Sequence, residues 1–149
     1  MIWKKNIELH SINNSLKNTM AEFLNIEVKE IGNDFIKATM PVNSKTIQPF
    51  GILHGGASVV LAETIGSIAS NLCLDDGFYS VGLDINANHI KSVKNEFVIG
   101  TTTPIHLGRT THVWEIKIKQ DKKITCISRL TTAVLKKEVS SSVVSAREK

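Results

Sequence analysis

From residue 55 to residue 74 the chain runs through apolar and small side chains with a single charge among them, Glu63. The length of the run and its alanines predict a helix rather than a strand, and Asp75-Asp76-Gly77 ends it. About twenty such residues would also be long enough to cross a bilayer. Glu63 near the middle, the polar Ser58, Thr64, Ser67 and Ser70, and flanks patterned as strands all oppose a membrane span. A helix this apolar needs cover on every side, so the rest of the chain is constrained to wrap it.

The flanks supply the cover. Ile26 and Val28 alternate with charged neighbours, and Ile36, Ala38, Met40 and Val42 alternate with polar ones, across a turn at Gly32-Asn33-Asp34. That pattern predicts a β-hairpin before the helix. After it, Val81, Leu83, Ile85, Ala87 and His89 alternate, residues 97–103 are β-rich, Trp114, Ile116 and Ile118 alternate with charges, and Ile124, Cys126, Ser128 and Leu130 do the same. Two strands, one helix and four strands predict an α+β fold, a single antiparallel β-sheet wrapped around one long central α-helix. Leu9, Ile12, Leu16 and Met20 recur at helical spacing and predict a short amphipathic helix ahead of the sheet.

One domain over residues 1–136 accounts for all of these elements, and the serine-rich stretch 137–149, without a sustained period, reads as a frayed tail. Neither Cys73 nor Cys126 has metal or disulfide spacing, and their apolar neighbours predict buried thiols. The histidines and Asp84 show no helix-face or Cys-x-x-Cys spacing, so no metal site is expected. Net charge is +4, with the lysines scattered in short pairs, a pattern of solvated faces rather than a nucleic-acid or membrane surface. The basic N-terminus lacks an apolar run and a cleavage site behind it, which leads to a cytoplasmic expectation.

Glu63 is the candidate for chemistry. An unpaired carboxylate among Val59, Val60, Ile65 and Ile68 is expensive to bury, so it has either a partner, an outlet to water or a function. Just before the helix stands Gln48-Pro49-Phe50-Gly51-Ile52-Leu53-His54-Gly55-Gly56-Ala57. Glycines at a helix start leave backbone N–H groups unshielded at the positive end of the helix dipole, which is one way to build an oxyanion hole. A tight turn alone is the plainer use of the same two glycines.

His54-Gly55-Gly56-Ala57-Ser58 followed by Glu63 resembles the hotdog-fold thioesterases that hydrolyse aromatic acyl-CoA, the 4-hydroxybenzoyl-CoA thioesterase group. Met1-Ile2-Trp3-Lys4, Ala38-Thr39-Met40-Pro41-Val42, Gln48-Pro49-Phe50-Gly51, Gly82-Leu83-Asp84-Ile85-Asn86-Ala87-Asn88-His89 and Ser128-Arg129-Leu130-Thr131-Thr132 are similar to the bacterial 1,4-dihydroxy-2-naphthoyl-CoA hydrolases of menaquinone synthesis. Thioesterases that proofread the aryl carrier protein of enterobactin synthesis share nearly the same pattern. The likeness extends to about Leu135, and the tail beyond it is longer than the family pattern.

The resemblance implies a hotdog domain in which Glu63 is nucleophile or general base on a thioester, the Gly55 N–H polarises the carbonyl, and Gln48 and His54 orient the reacting groups. It implies that Ser67 lines the pocket, one helical turn beyond Glu63. It assigns Gly82, His89-Ile90-Lys91-Ser92 and a loop His106-Leu107-Gly108-Arg109-Thr110-Thr111 to the CoA moiety, with Lys91 and Arg109 as cations for phosphate. It implies a dimer or dimer of dimers with each site shared between subunits, an acyl-CoA or acyl-carrier-protein substrate, and no separate cofactor. Two other uses of the fold stay open. A dehydratase or hydratase would employ His54 and Glu63 for proton transfer, although such enzymes carry a Pro-Gly loop where this chain has Gly-Gly-Ala. A non-catalytic acyl-CoA sensor would have no need of Glu63.

Overall fold

Alternation decides which side of each strand meets the helix. Trp114, Ile116 and Ile118 are sealed from solvent while Glu115 and Lys117 between them are not. The computed structural model describes residues 1–138. Their order is α1 (Leu9–Ser15), α2 (Met20–Phe23), β1 (Glu27–Ile31), β2 (Ile36–Pro41), α3 (Gly55–Leu72), β3 (Phe78–His89), β4 (Phe97–Leu107), β5 (Thr111–Gln120) and β6 (Lys123–Lys136). The six strands form one antiparallel sheet in the order β1-β2-β4-β5-β6-β3. It curls around α3, which lies against β2 to β6. The expected α+β arrangement is therefore present.

Leu61, Ala62, Ile65 and Ala69 of α3 have no exposed surface, nor do Ile36, Ala38, Met40, Val98, Ile116, Ile118 and Leu130 facing them. Each aliphatic side chain removed from water in this way contributes about 1.5–3 kcal/mol. Helix and sheet approach closely because α3 has no side chain at Gly66. A Cβ there would lie 2.6 Å from Leu130 Cδ2.

Two local expectations are corrected. The amphipathic segment after Leu9 is two short helices, because Asn18 takes a left-handed conformation (φ 60°) that breaks the first. The loop expected over residues 106–111 is half strand. His106 and Leu107 belong to β4 and Thr111 to β5, leaving a tight turn in which the Gly108 N–H donates to the Thr111 carbonyl at 2.9 Å. Glu63 is half-buried and keeps an outlet to water, one of the alternatives the sequence left open, since it lies opposite β3, the outermost strand. The tail expected from residue 137 falls outside the described residues from 139 onward, and the Lys137 N–H still donates to the Gly77 carbonyl at 2.8 Å.

The two edges of the sheet are treated differently. On β1, the Asn13 side chain accepts from the Val28 N–H and donates to the Val28 carbonyl, both at 2.9 Å, and so docks α1 on that edge. β3, twelve residues long, has β6 on one side and no strand on the other among the described residues.

An N-terminal strap closes one end. The Ile2 N–H donates to Asn33 O, and the Lys4 and Lys5 N–H groups donate to Leu72 O at the end of α3. Between them, Trp3 stacks on Trp114 with ring centroids 6.4 Å apart, and its indole N–H donates to Gly32 O at 2.7 Å. Trp3→Ala is expected to lower stability by about 3–5 kcal/mol, the range for truncating a buried aromatic. Urea unfolding with an unchanged m-value checks this.

Candidate active site

The loop between β2 and α3 is held at several points before it delivers His54 and Gly55. The buried Thr46 hydroxyl donates to Pro41 O at 2.9 Å, and the Thr46 carbonyl accepts from the His54 N–H at 2.8 Å. The Leu53 N–H donates to Val93 O at 2.7 Å. At the tip, the Gln48 N–H donates to Ile52 O, the Gly51 N–H donates to Gln48 O, and the Gln48 side-chain carbonyl accepts from the Phe50 N–H. Gly51 adopts φ +74°, which suits glycine.

The loop ends in a side-chain cap. His54 is the N-cap of α3, and its Nδ1 accepts from the Gly56 N–H at 2.8 Å. In the neutral ring the proton then resides on Nε2. Ala57 and Ser58 N–H groups go to the His54 carbonyl, whereas the Gly55 N–H meets no acceptor among the described residues. A free amide at a helix start is a hydrogen-bond donor for an anionic oxygen.

Gly55 also makes room for a neighbour. A Cβ there would lie 2.6 Å from His89 Nε2, so the His89 ring at the end of β3 seats against the bare Gly55 backbone. Gln48, Gly55, His89, Ile90, Lys91 and Ser92 border one cleft of about 340 Å³. Ile90 and Lys91 are fixed there by their N–H groups, which donate to the Thr125 carbonyl at 2.8 and 3.2 Å. The same cleft includes Ile52, Leu53, Ser58 and Thr125, which the sequence reading missed. Ser58 was within reach of it, one helical turn after Gly55. Thr125 was not, because a strand residue carries no sign of what its carbonyl holds.

Glu63 stands elsewhere on the same helix. It is eight positions beyond Gly55, and at about 1.5 Å of rise per residue the two are separated by ~12 Å along the axis. Its carboxylate lies over Gly82 of β3, where a Cβ would be 2.6 Å from Glu63 Oε1. The β3–β6 register shifts between Gly82 and Asp84, so the strand bulges beside the carboxylate. Ser67, one turn further along, borders an apolar groove of about 280 Å³ with Ile12, Ser15 and Ile68.

The remaining predicted residues are at the far end of the molecule. Leu107, Gly108, Arg109 and Thr110 border a cleft of about 740 Å³ with Lys4, Cys73 and Asp75, at the C-terminal end of α3. His106 and Thr111 flank that turn in β4 and β5. One chain thus keeps the His89–Ser92 segment and the 106–111 segment at opposite ends of an eighteen-residue helix.

The cysteines are buried and free. Burial pushes the Cys73 thiol up to about 11, with nearby Lys4 opposing, and burial raises Cys126 as well. Neither is a thiolate nucleophile at neutral pH. Among the described residues no three His, Cys, Asp or Glu side chains converge on a space for a metal ion, and no helix is long and apolar enough to cross a membrane.

A half-buried carboxylate beside a bare backbone, on a helix whose start offers a free amide, fits hydrolysis of an acyl compound. The sequence profile of the thioesterase superfamily matches residues 50–127, which span the end of the loop, the helix and most of the sheet. This chain belongs to the thioesterase superfamily. It is 52% identical to a 1,4-dihydroxy-2-naphthoyl-CoA hydrolase of Escherichia coli over 91% of this chain and 100% of that protein. It is 46% identical to the proofreading thioesterase EntH of Cronobacter turicensis, over 91% of this chain and 99% of that protein. The crystal structure of a thioesterase from Haemophilus influenzae superposes with a TM-score of 0.89 at 50% identity, covering 91% of this chain and 96% of that one. The chain is thus a hotdog-fold thioesterase.

Gly82→Ala puts a methyl group where the Glu63 carboxylate now rests. Thioester hydrolysis is expected to fall about a hundredfold, the scale of a 1 Å misplacement of a reacting group. The thermal midpoint should hold or rise, because glycine is a weak strand residue. Steady-state turnover and a melting curve on the same sample check both halves.

Proposed function

We propose that this thioesterase hydrolyses aromatic acyl-CoA to the free acid and CoA, with 1,4-dihydroxy-2-naphthoyl-CoA of menaquinone synthesis as the leading substrate. The observation that carries the reading is the Glu63 carboxylate seated on Gly82, with a cation-bearing cleft at the start of the same helix. The Escherichia coli relative, matched along its whole length, supports the choice of acyl group.

In this reading a Glu63 oxygen attacks the thioester carbonyl carbon, the C–S bond breaks, CoA leaves as its thiol after taking a proton from water, and a second water opens the mixed anhydride. In the alternative path Glu63 removes a proton from water, which attacks directly. Both paths place negative charge on the carbonyl oxygen, and the Gly55 N–H stabilises it. The chemistry needs water and no further cofactor, and we place it in the cytoplasm.

A gap of ~12 Å along a rigid helix prevents one chain's Gly55 and Glu63 from acting on the same carbonyl. The site therefore takes Glu63 and Ser67 from one subunit and Gln48, His54 and Gly55 from another. The twelve-residue edge of β3, unpaired among the described residues, supports this, since an unpaired strand edge is a template for pairing. Two copies joined antiparallel along β3 bring the His89-Ile90-Lys91-Ser92 end of one strand toward the Phe78 end of the other. That end adjoins the Arg109 turn. Lys91 and Arg109 then serve one CoA, beside Gly82. Such dimers pair further into tetramers.

A second reading, proofreading of an aryl carrier protein, is favoured by the 46% identity to the Cronobacter turicensis enzyme. Glu63→Ala is expected to lower aroyl-CoA turnover by at least about a hundred- to a thousandfold while leaving the assembly folded. Thiol release measured against aroyl-CoA, aliphatic acyl-CoA, aryl carrier-protein and enoyl thioesters tests the substrate. The highest specificity constant should fall on aroyl-CoA. A strong aliphatic preference would rule out the menaquinone assignment, and near-normal turnover of Glu63→Ala would remove Glu63 from the mechanism.

A further inference from the structure

A bare edge on β3 does not fix where along it a second copy sits. Pairing between subunits has no turn to set its register, and a slide by two residues keeps every side chain on its own face, so the apolar pattern does not choose either. Each such slide moves the partner's Gly55 about 7 Å along the strand relative to Glu63. The choice has to come from the backbone groups that the edge offers.

Those groups follow from the β3–β6 ladder, in which only alternate residues bond across. The Lys137 N–H donates to Gly77 O, while Val134, opposite Ser80, turns its N–H the other way, to Thr110 O at 2.8 Å. Ser80 and Gly82 therefore point their N–H and carbonyl groups outward. The register shift between Gly82 and Asp84 moves the phase by one residue, and the bond from the Ile90 N–H to Thr125 O fixes it at the far end. Beyond the bulge the outward residues are Ile85, Ala87 and His89.

The outward position at Ser80 is already filled. Asn71, in the last turn of α3, accepts from the Ser80 N–H through Oδ1 at 3.0 Å, and its Nδ2 donates to the Ser80 carbonyl at 3.3 Å and to the Ser67 carbonyl at 3.0 Å. It treats β3 as Asn13 treats β1 at Val28, satisfying both backbone groups of an edge residue with one amide. Gly82, Ile85, Ala87 and His89 have no such cover among the described residues.

A two-fold axis maps the outward positions onto one another. With the axis at Ile85, Gly82 meets the partner's Ala87, and His89 meets the partner's Ser80, whose groups Asn71 occupies. With the axis at Ala87, Ile85 meets the partner's His89 and Gly82 is left over. With the axis at Asn86, Ile85 meets the partner's Ala87 and, across the bulge, Gly82 meets the partner's His89. Every free position is then used, and Ser80 falls just beyond the end. The same register brings Glu63, seated on Gly82, to the partner's Gly55, because each His89 rests against the Gly55 of its own chain.

We infer that Asn71 sets the register in which two copies of this chain join: by closing β3 at Ser80 it stops the partner strand where Gly82 meets the partner's His89, with the two-fold axis at Asn86. The inference rests on the shared-site reading above. Asn71 is thus a positioning residue, acting on the site through β3.

Cysteine cross-linking of the full chain reads the register directly. Asn86→Cys faces its own copy across the axis as a non-hydrogen-bonded pair, with Cα atoms ~4.5 Å apart and within disulfide reach. It should form a covalent dimer under oxidised glutathione, whereas Asn88→Cys, whose copies stand about 13 Å apart along the strand, should not. The native cysteines are buried. Asn71→Ala opens Ser80, so the yield of the Asn86→Cys link should fall severalfold and kcat for benzoyl-CoA about a hundredfold, as the partner's Gly55 leaves Glu63. Adding Ser80→Pro, which closes the same position by removing its N–H, should restore both. Asn71→Ser, too short to reach Ser80, serves if Asn71→Ala does not fold. A folded Asn71→Ala dimer that links through Asn86→Cys as well as the parent does, or a loss that Ser80→Pro leaves unrepaired, would overturn the inference. An active wild-type monomer defeats the shared-site reading and the inference with it. An active dimer in which Asn86→Cys does not link overturns the inference alone.

Discussion

The rigidity of α3 governs everything else in this molecule. A helix fixes the distance between any two of its residues, and here it holds the free Gly55 amide ~12 Å from the Glu63 carboxylate. Flexible loops could bring two such groups together, but a buried helix clamped between five strands cannot bend to do so. In the proposed mechanism the chain therefore presents two halves of a hydrolytic site that do not face one carbonyl within a single copy. A second copy is the simplest supply of the missing half.

The surroundings of the helix are arranged consistently with that reading. The edge at β1 is closed by the Asn13 amide, and the end near Trp114 is closed by the N-terminal strap. Among the described residues β3 has no strand on its outer side, and two residues of β3 meet Glu63 and Gly55 of α3. Gly82 lies under Glu63, and His89 lies against Gly55. Both contacts depend on a missing Cβ, in the first case on the strand and in the second on the helix. Geometry of this kind is sensitive to single methyl groups, because packed interiors absorb extra volume poorly.

Much of this was legible in the sequence. The lone charge in residues 55–74 and the alternation of the later strands define a helix and its cover, and His54-Gly55-Gly56 marks the helix start where it is found. The split of the first helix at Asn18 was not legible, since left-handed asparagines follow from local geometry more than from pattern. Nor was the division of the predicted CoA residues between two ends of the molecule. Residues 89–92 and 106–111 are near one another in sequence, yet the eleven-residue β4 between them carries the chain from one end of α3 to the other. The buried hydrogen bonds that join Ser70 of α3 to His112 of β5 and to Thr132 of β6 were hidden for another reason: each member sits at an inward strand or helix position, where a polar residue reads as a break in the pattern rather than as part of a network.

The central claim, that Glu63 of one copy works with Gln48 and Gly55 of another, is tested most directly by mixing two inactive variants. Glu63→Ala and Gln48→Ala are each purified, combined in equal amounts, dissociated together and allowed to reassociate. Half of the dimers formed at random hold one of each, and in these one of the two sites is intact. The account expects aroyl-CoA hydrolysis to return to about a quarter of the wild-type rate, with neither variant active alone. A mixture that re-forms dimers and stays inactive would contradict it, and would place both groups of the site in a single chain.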